Sequence, residues 1–151
     1  MKPTLFLASL MSCSLFSSAQ FVARMEPKEP IPGVCNMKNI LVLLPAFKGQ
    51  EAAIIPVNKN DIEKRLNAEV KFLADNPGYS DKGMIGLVIN CKGEVVQCRM
   101  DNKTKNPELD KQIENVFNSL GEWKAGKLKG KPVDSSSLFS FTIENGKIYL
   151  K

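Results

Sequence analysis

The order of hydrophobic patterns between residues 84 and 144 most constrains the fold. Residues 84–91 and 94–100 read as two strands joined by Lys92-Gly93, which predicts a β-hairpin. Residues 106–120 carry one apolar stripe at helical spacing, with Asn106 as a capping residue and Pro107 at the first helical position. In residues 136–144, apolar side chains recur at every second position, at Phe139, Phe141 and Ile143, which predicts another strand. Strand, turn, strand, helix, strand is the predicted order.

Two further elements flank this pattern. Ile62, Leu66, Val70 and Leu73 recur at helical spacing after a capping box formed by Asn60 and Glu63, and residues 76–78 end that helix. Asn145-Gly146 predicts a tight turn into a last strand, residues 147–150. The predicted fold class is α+β: a two-layer sandwich with an antiparallel sheet of three or four strands and two helices on one face.

The amino terminus indicates export. Lys2, an apolar run from Leu5 to Phe16 and the small residues before Gln20 predict a signal peptide over residues 1–20. Leu10-Met11-Ser12-Cys13 also resembles a lipoprotein box, so lipidation of Cys13, and with it membrane attachment, stays an alternative. We expect a periplasmic or outer cell-envelope location in a Gram-negative bacterium. Residues 21–59 would form an arm with three prolines and a short apolar segment, and residues 60–151 one domain.

The cysteines predict one disulfide, because disulfides persist in the oxidising compartments that exported proteins reach. If Lys92-Gly93 is a two-residue turn, Cys98 lies opposite Leu87, and Cys91 and Cys98 stand roughly 13 Å apart along the hairpin. A disulfide needs Cα atoms within about 7 Å. Cys35 should therefore pair with either Cys91 or Cys98, and the third thiol should stay free.

The composition argues against catalysis. The chain has no histidine, which removes the usual Ser/His/Asp and Cys/His nucleophiles and most transition-metal sites. The carboxylates of residues 108, 110 and 114 suit the dipole of a helix amino terminus better than acid-base chemistry. We expect no enzymatic activity, no catalytic residue, no cofactor and no metal.

The positive charge does not indicate nucleic-acid binding. The net charge is +5, yet only three arginines are present and no nucleic-acid motif accompanies them. The lysines of residues 124–131 read as a solvated glycine-lysine loop. Trp123 is expected to close the core beside the second helix.

Taken in order, three groups of residues resemble the carboxy-terminal domain of the TonB energy-transducer family. The residues are Gly86-Leu87-Val88-Ile89-Asn90 with Lys92-Gly93-Glu94-Val95-Val96, then Asn106-Pro107-Glu108-Leu109-Asp110, then Trp123-Lys124-Ala125-Gly126 with Gly130-Lys131-Pro132-Val133. The resemblance covers about residues 60 to 144. It implies that a short peptide of an outer-membrane receptor adds to the sheet edge, with a possible link to outer-membrane transport.

The resemblance directs attention to two strands as the binding edge, Ser136–Glu144 and Lys147–Leu150. Their candidate contact residues are Phe139, Phe141, Ile143, Lys147 and Tyr149. A second copy of the chain is another possible occupant, because an exposed edge can also dimerise. The chain lacks the long proline-rich arm of an energy transducer, so it fits a stand-alone exported relative. The alternative is a surface or lipid-anchored structural protein that has lost peptide binding.

Overall fold

The computed structural model describes residues 21–151, and the predicted signal peptide and Cys13 lie outside this part of the chain. The strands are β1 (Ala23–Met25), β2 (Ile40–Val42), β3 (Gln50–Glu51), β4 (Asp81–Ile89), β5 (Val95–Asn102), β6 (Gly126–Leu128), β7 (Lys131–Val133), β8 (Ser135–Glu144) and β9 (Lys147–Leu150). The helices are α1 (Lys59–Glu69), α2 (Lys71–Asp75) and α3 (Pro107–Asn118). The predicted α+β class is confirmed.

The main sheet has six strands in the order β1-β2-β8-β4-β5, with β9 pairing to the far end of β8. β4 and β8 pair antiparallel along the whole of β4. β2 instead runs parallel to β8, with Leu41 opposite Ser135 and Val42 opposite Ser136. The sheet is therefore mixed, and the prediction of a purely antiparallel sheet of three or four strands is wrong, because the arm contributes β1 and β2.

The predicted glycine-lysine loop is a hairpin in a second, three-stranded sheet of β3, β6 and β7. Lys129 and Gly130 turn the chain with φ of 52° and 76°, the left-handed conformation that two-residue hairpins require. Lys127 forms an ion pair with Glu51 of β3 at 3.5 Å. The loop prediction failed because the two strands have only three residues each, too few to show alternation.

The predicted first helix is two helices, α1 and α2, which meet at the extended residue Val70. The N-cap of α1 is Asn58 and not Asn60; its side chain accepts the N–H of Asp61 at 2.9 Å. The N–H of Phe72, in the first turn of α2, donates to the Gln112 side chain of α3 at 3.0 Å. A partner from another helix thus compensates for the break. α3 begins as predicted, capped by Asn106.

The core lies between the three helices and the sheet face that they cover. Its fully buried members include Leu66, Ile85, Leu109 and Phe117. Trp123 is 5% exposed and its ring centroid lies 6.1 Å from that of Phe139, so its predicted core role is confirmed. The opposite sheet face, called here the outer face, carries a smaller cluster that packs the arm onto the sheet, formed by Ile31, Ile40, Val88, Met25, Val34 and Val96.

Candidate functional site at a sheet edge

β8, which was expected to offer a free edge, is an internal strand. β4 pairs with one side of it, and β2 and β9 pair with the two ends of its other side. Phe141 and Ile143 are each 1% exposed, and Phe139 packs against the rings of Phe117 and Trp123. These three candidate contact residues belong to the core, because the apolar alternation of β8 faces the helices and not a partner.

β9 has the predicted bounds, but side chains of α1 close its outer edge. The Asn67 amide accepts the N–H of Ile148 and donates to its carbonyl, both at 2.9 Å. A carboxylate oxygen of Glu63 accepts the N–H of Leu150 at 2.8 Å. An added strand would have to displace these side chains. Lys147 and Tyr149 are exposed on this strand, and their contact with a partner stays a prediction.

β5 is one of the two edge strands of the described main sheet, and β1 is the other. Among residues 21–151 β5 pairs only with β4. The N–H of Met100 donates to Glu114 at 2.7 Å, on the side away from β4. Because backbone direction repeats every two residues, the N–H and C=O of Cys98 also point away from β4. The register supports this, since Leu87 lies opposite Cys98 and Gly86 opposite Arg99.

A cleft adjoins the start of this edge. It has a volume of about 390 Å³ and lies between the turn that joins β4 to β5 and the carboxyl end of α3. Its lining includes Gly93, Val95, Asn118 and Trp123. Gly93 has φ of 89° and packs its Cα against the Trp123 backbone, so a side chain there would clash. The cleft therefore lies beside the start of β5, where the packing of Gly93 against Trp123 fixes the backbone of the turn.

Cys98 is the free thiol of the described chain, and it sits on the helix side of β5. Burial raises the pKa of this thiol to about 12, with a further contribution from the charge of Glu114. Its sulfur lies 3.7 Å from the Glu114 carbonyl oxygen. The thiol is therefore protonated at neutral pH and is a poor nucleophile, because the thiolate is the reactive species.

The raised pKa predicts slow alkylation of Cys98 in the folded protein. At pH 8 iodoacetamide should label the urea-unfolded chain readily and the folded chain far more slowly, as followed by mass spectrometry. The folded state favours the neutral thiol, so this contribution to stability is complete below the ordinary pKa of 9.0 and is lost as pH rises towards 12. Equal labelling rates in the two states would contradict this assignment.

The arm is fastened to the sheet by a disulfide and one carboxylate. Cys35 pairs with Cys91, so one of the two predicted pairings is confirmed. Asp134 is 2% exposed, and its carboxylate accepts the N–H groups of Cys35, Asn36 and Cys91 at 3.0, 2.6 and 2.9 Å. No sequence pattern indicates this role, since Asp134 is a lone acidic residue before a run of serines.

The buried Asn90 adds a second fastening. Its side-chain nitrogen donates to the Gly33 carbonyl at 2.9 Å and to Glu94 at 2.6 Å. Its oxygen accepts the N–H groups of Lys92 and Glu94, which closes the turn after β4. An asparagine between a strand and a glycine turn favours such side-chain to backbone hydrogen bonds, so the sequence does contain a signal for this role. The turn is accordingly longer than the predicted two residues.

The sulfurs of Cys35 and Cys91 and the Asp134 carboxylate lie within 4.8 Å of one another, close enough to be considered as metal ligands. The two sulfurs are bonded to each other, and the carboxylate already accepts three backbone N–H groups. The cluster is thus occupied with holding the arm.

Within residues 21–151, no helix has both the length and the apolar character needed to cross a membrane. Comparisons of the chain with protein-family models, with curated proteins and with solved structures found no match.

Proposed function

We propose that this chain is an exported cell-envelope protein that binds an extended segment of another protein by adding it as a strand beside β5. The outward-facing N–H and C=O of Cys98 carry the proposal, because the outward N–H of Met100 is already held by Glu114. The domain is, in this proposal, a stand-alone relative of the TonB carboxy-terminal family with a two-layer sandwich, and its partner is a segment of an outer-membrane receptor. It performs no chemistry on that partner.

Strand addition suits β5 better than the strands that the resemblance pointed to. β8 is internal, and side chains of α1 hold the outward N–H groups of both Ile148 and Leu150 in β9. β5 has no strand beyond it in the described chain, and α3 holds one outward N–H, that of Met100. A residue placed opposite Cys98 would exchange two backbone hydrogen bonds with it. Those bonds supply affinity independently of the partner's sequence.

Side chains beside the edge supply selectivity. On the outer face, Gln97 and Arg99 would flank alternate residues of the added strand. Arg99 is exposed, so an acidic residue of the partner opposite it would form a cross-strand pair. On the helix side, the Cys98 thiol and the Glu114 carboxylate of α3 border the edge. We therefore expect a partner segment with an acidic residue opposite Arg99.

The disulfide agrees with the proposed location. Disulfides persist in secreted proteins and in the periplasm, and they are rare in reducing compartments. The Cys35–Cys91 bond joins the arm to the turn at the start of the β5 edge. An oxidising compartment would keep this end of the edge fixed in position.

A proline at Cys98 tests the proposal. Cys98→Pro should abolish partner recovery in a pull-down from the cell envelope, because it removes an outward N–H that β4 does not use. Cys98→Ala is the matched control: it removes the thiol, keeps the N–H and should retain binding. Circular dichroism checks that both variants fold. Binding by Cys98→Pro equal to that of Cys98→Ala would refute strand addition at β5.

The closed edge of β9 favours one second candidate, a structural protein of the envelope that has lost peptide binding. Asn67 and Glu63 leave that strand no open N–H at Ile148 or Leu150. Recovery of no protein by the wild-type chain in the same pull-down would favour this candidate over strand addition.

A further inference from the structure

An apolar groove of about 240 Å³ lies on the outer face of the main sheet. It crosses β2, β8, β4 and β5. Its lining includes Met25, Val42, Gly86, Leu138, Arg99 and Asp101. From β2 to β5 the groove spans three strand spacings, about 14 Å. It is therefore long and shallow, running across the strands.

The groove exists because Gly86 has no side chain in the middle of β4. A Cβ at Gly86 would meet Leu138 at 3.3 Å and Asp101 at 3.8 Å, so a side chain would occupy the space between them. Leu138 is 58% exposed and forms one wall. Met25 packs against the arm cluster and closes the β2 end.

The two ends of the groove differ in polarity. Met25, Val42 and Leu138 make one part apolar, whereas Gln97, Arg99 and Asp101 stand at the β5 end. Arg99 takes part in none of the ion pairs formed within residues 21–151. Its guanidinium and the Gln97 amide are both hydrogen-bond donors. Asp101 lines the same end of the groove without forming an ion pair with Arg99, and its carboxylate would repel a phosphate dianion more strongly than a singly charged head.

We infer that the groove binds a single aliphatic chain with a carboxylate head, such as a medium-chain fatty acid. The chain lies across Gly86 and beside Leu138, and the head accepts hydrogen bonds from Arg99 and Gln97. Small-molecule sites commonly combine apolar walls with a few polar groups that fix orientation. The site shares the Gln97 and Arg99 side chains with the surface proposed beside β5 but does not use the backbone edge, so different variants test decanoate binding and strand addition.

The test is a titration of the isotope-labelled protein with sodium decanoate, followed by NMR. Decanoate should shift the amide signals of Gly86, Leu138 and Arg99, and 1-decanol and butyrate should each bind at least tenfold more weakly. Gly86→Ala should weaken decanoate binding and Gly86→Val should abolish it. Arg99→Gln should reduce affinity to that for decanol.

Two control variants match these changes. Gly78→Ala adds a methyl group where no atom lies within 4 Å, and Lys71→Gln removes a charge from α2. Both should bind decanoate as the wild type does. Signals that shift only outside the groove, or undiminished binding by Gly86→Val, would overturn the site. Equal affinity for decanol and decanoate would overturn the carboxylate assignment. Because Arg99→Gln leaves the groove unfilled, it also tests the site if Gly86→Val does not fold.

Discussion

Replacing Cys35 and Cys91 by serine should lower the free energy of unfolding by about 2–5 kcal/mol, because the disulfide limits the freedom of the unfolded chain. The two cysteines are 56 residues apart, a long loop for which the stabilisation is expected in the upper part of this range. The native state also loses its fastening between the arm and the turn after β4. The arm strands β1 and β2 should then exchange their amide hydrogens faster.

Urea unfolding followed by the fluorescence of Trp123, the single buried tryptophan, measures this effect. A dithiol reductant should destabilise the wild-type protein by a similar amount and leave the double serine variant unchanged. The reductant controls for the serine substitutions themselves. An unfolding midpoint that neither change moves would show that the disulfide does not stabilise the fold.

Asp134→Ala should lower the free energy of unfolding by about 3 kcal/mol or more. The substitution removes the acceptor of three backbone N–H groups, and hydrogen bonds to a charged group contribute roughly 1.5–3 kcal/mol each. The estimate lies below the sum of the three because water can reach Cys35 and Asn36 once the arm loosens. No other acceptor for these donors is present among the described contacts.

Asp134→Asn is the matched variant, because it keeps one acceptor oxygen, and its loss should be intermediate. In the chain without the disulfide, Asp134→Ala should cost less than in the wild type, since both changes release the same junction. The same urea assay gives all four stabilities. Additive losses would mean that the carboxylate and the disulfide act at independent points.

Sequence patterns predicted the elements in which apolar residues recur at regular spacing over several helical turns or along a strand. The hairpin of β4 and β5, the capped α3 and the turn into β9 all combine a periodic apolar pattern with a specific start or stop residue. The break at Val70 was not predictable in this way. The apolar spacing continues through it, and only the Gln112 side chain of a distant helix supplies the missing partner.

The arm could not be predicted for a related reason. β1 and β2 have three residues each, and their pairing with the sheet depends on contacts distant in sequence, including the N–H of Leu41 to the Asp134 carbonyl at 2.9 Å. The prolines indicated a loop or an extended arm, and neither interpretation says what the segment pairs with. The strands β6 and β7 were not predicted for the same reason, because each has only three residues.

The choice of edge is where sequence reasoning erred most. Alternation in β8 shows that one face is buried, and it says nothing about whether the backbone has neighbours on both sides. The closed edge of β9 depends on Asn67, which in sequence reads only as a polar helix position, and on Glu63, which was assigned to a capping box. Chain order alone therefore could not show that β5 is an edge strand of the main sheet.

Site-specific photo-crosslinking in the intact cell envelope tests strand addition at β5 most directly. A photoreactive residue at Gln97 on β5 would be compared with one at Tyr149 on the closed strand β9 and one at Lys71 on α2. We predict that the Gln97 position captures one protein through an extended segment, and that the other two positions do not capture it. Capture of a partner from Tyr149 and not from Gln97 would contradict the account.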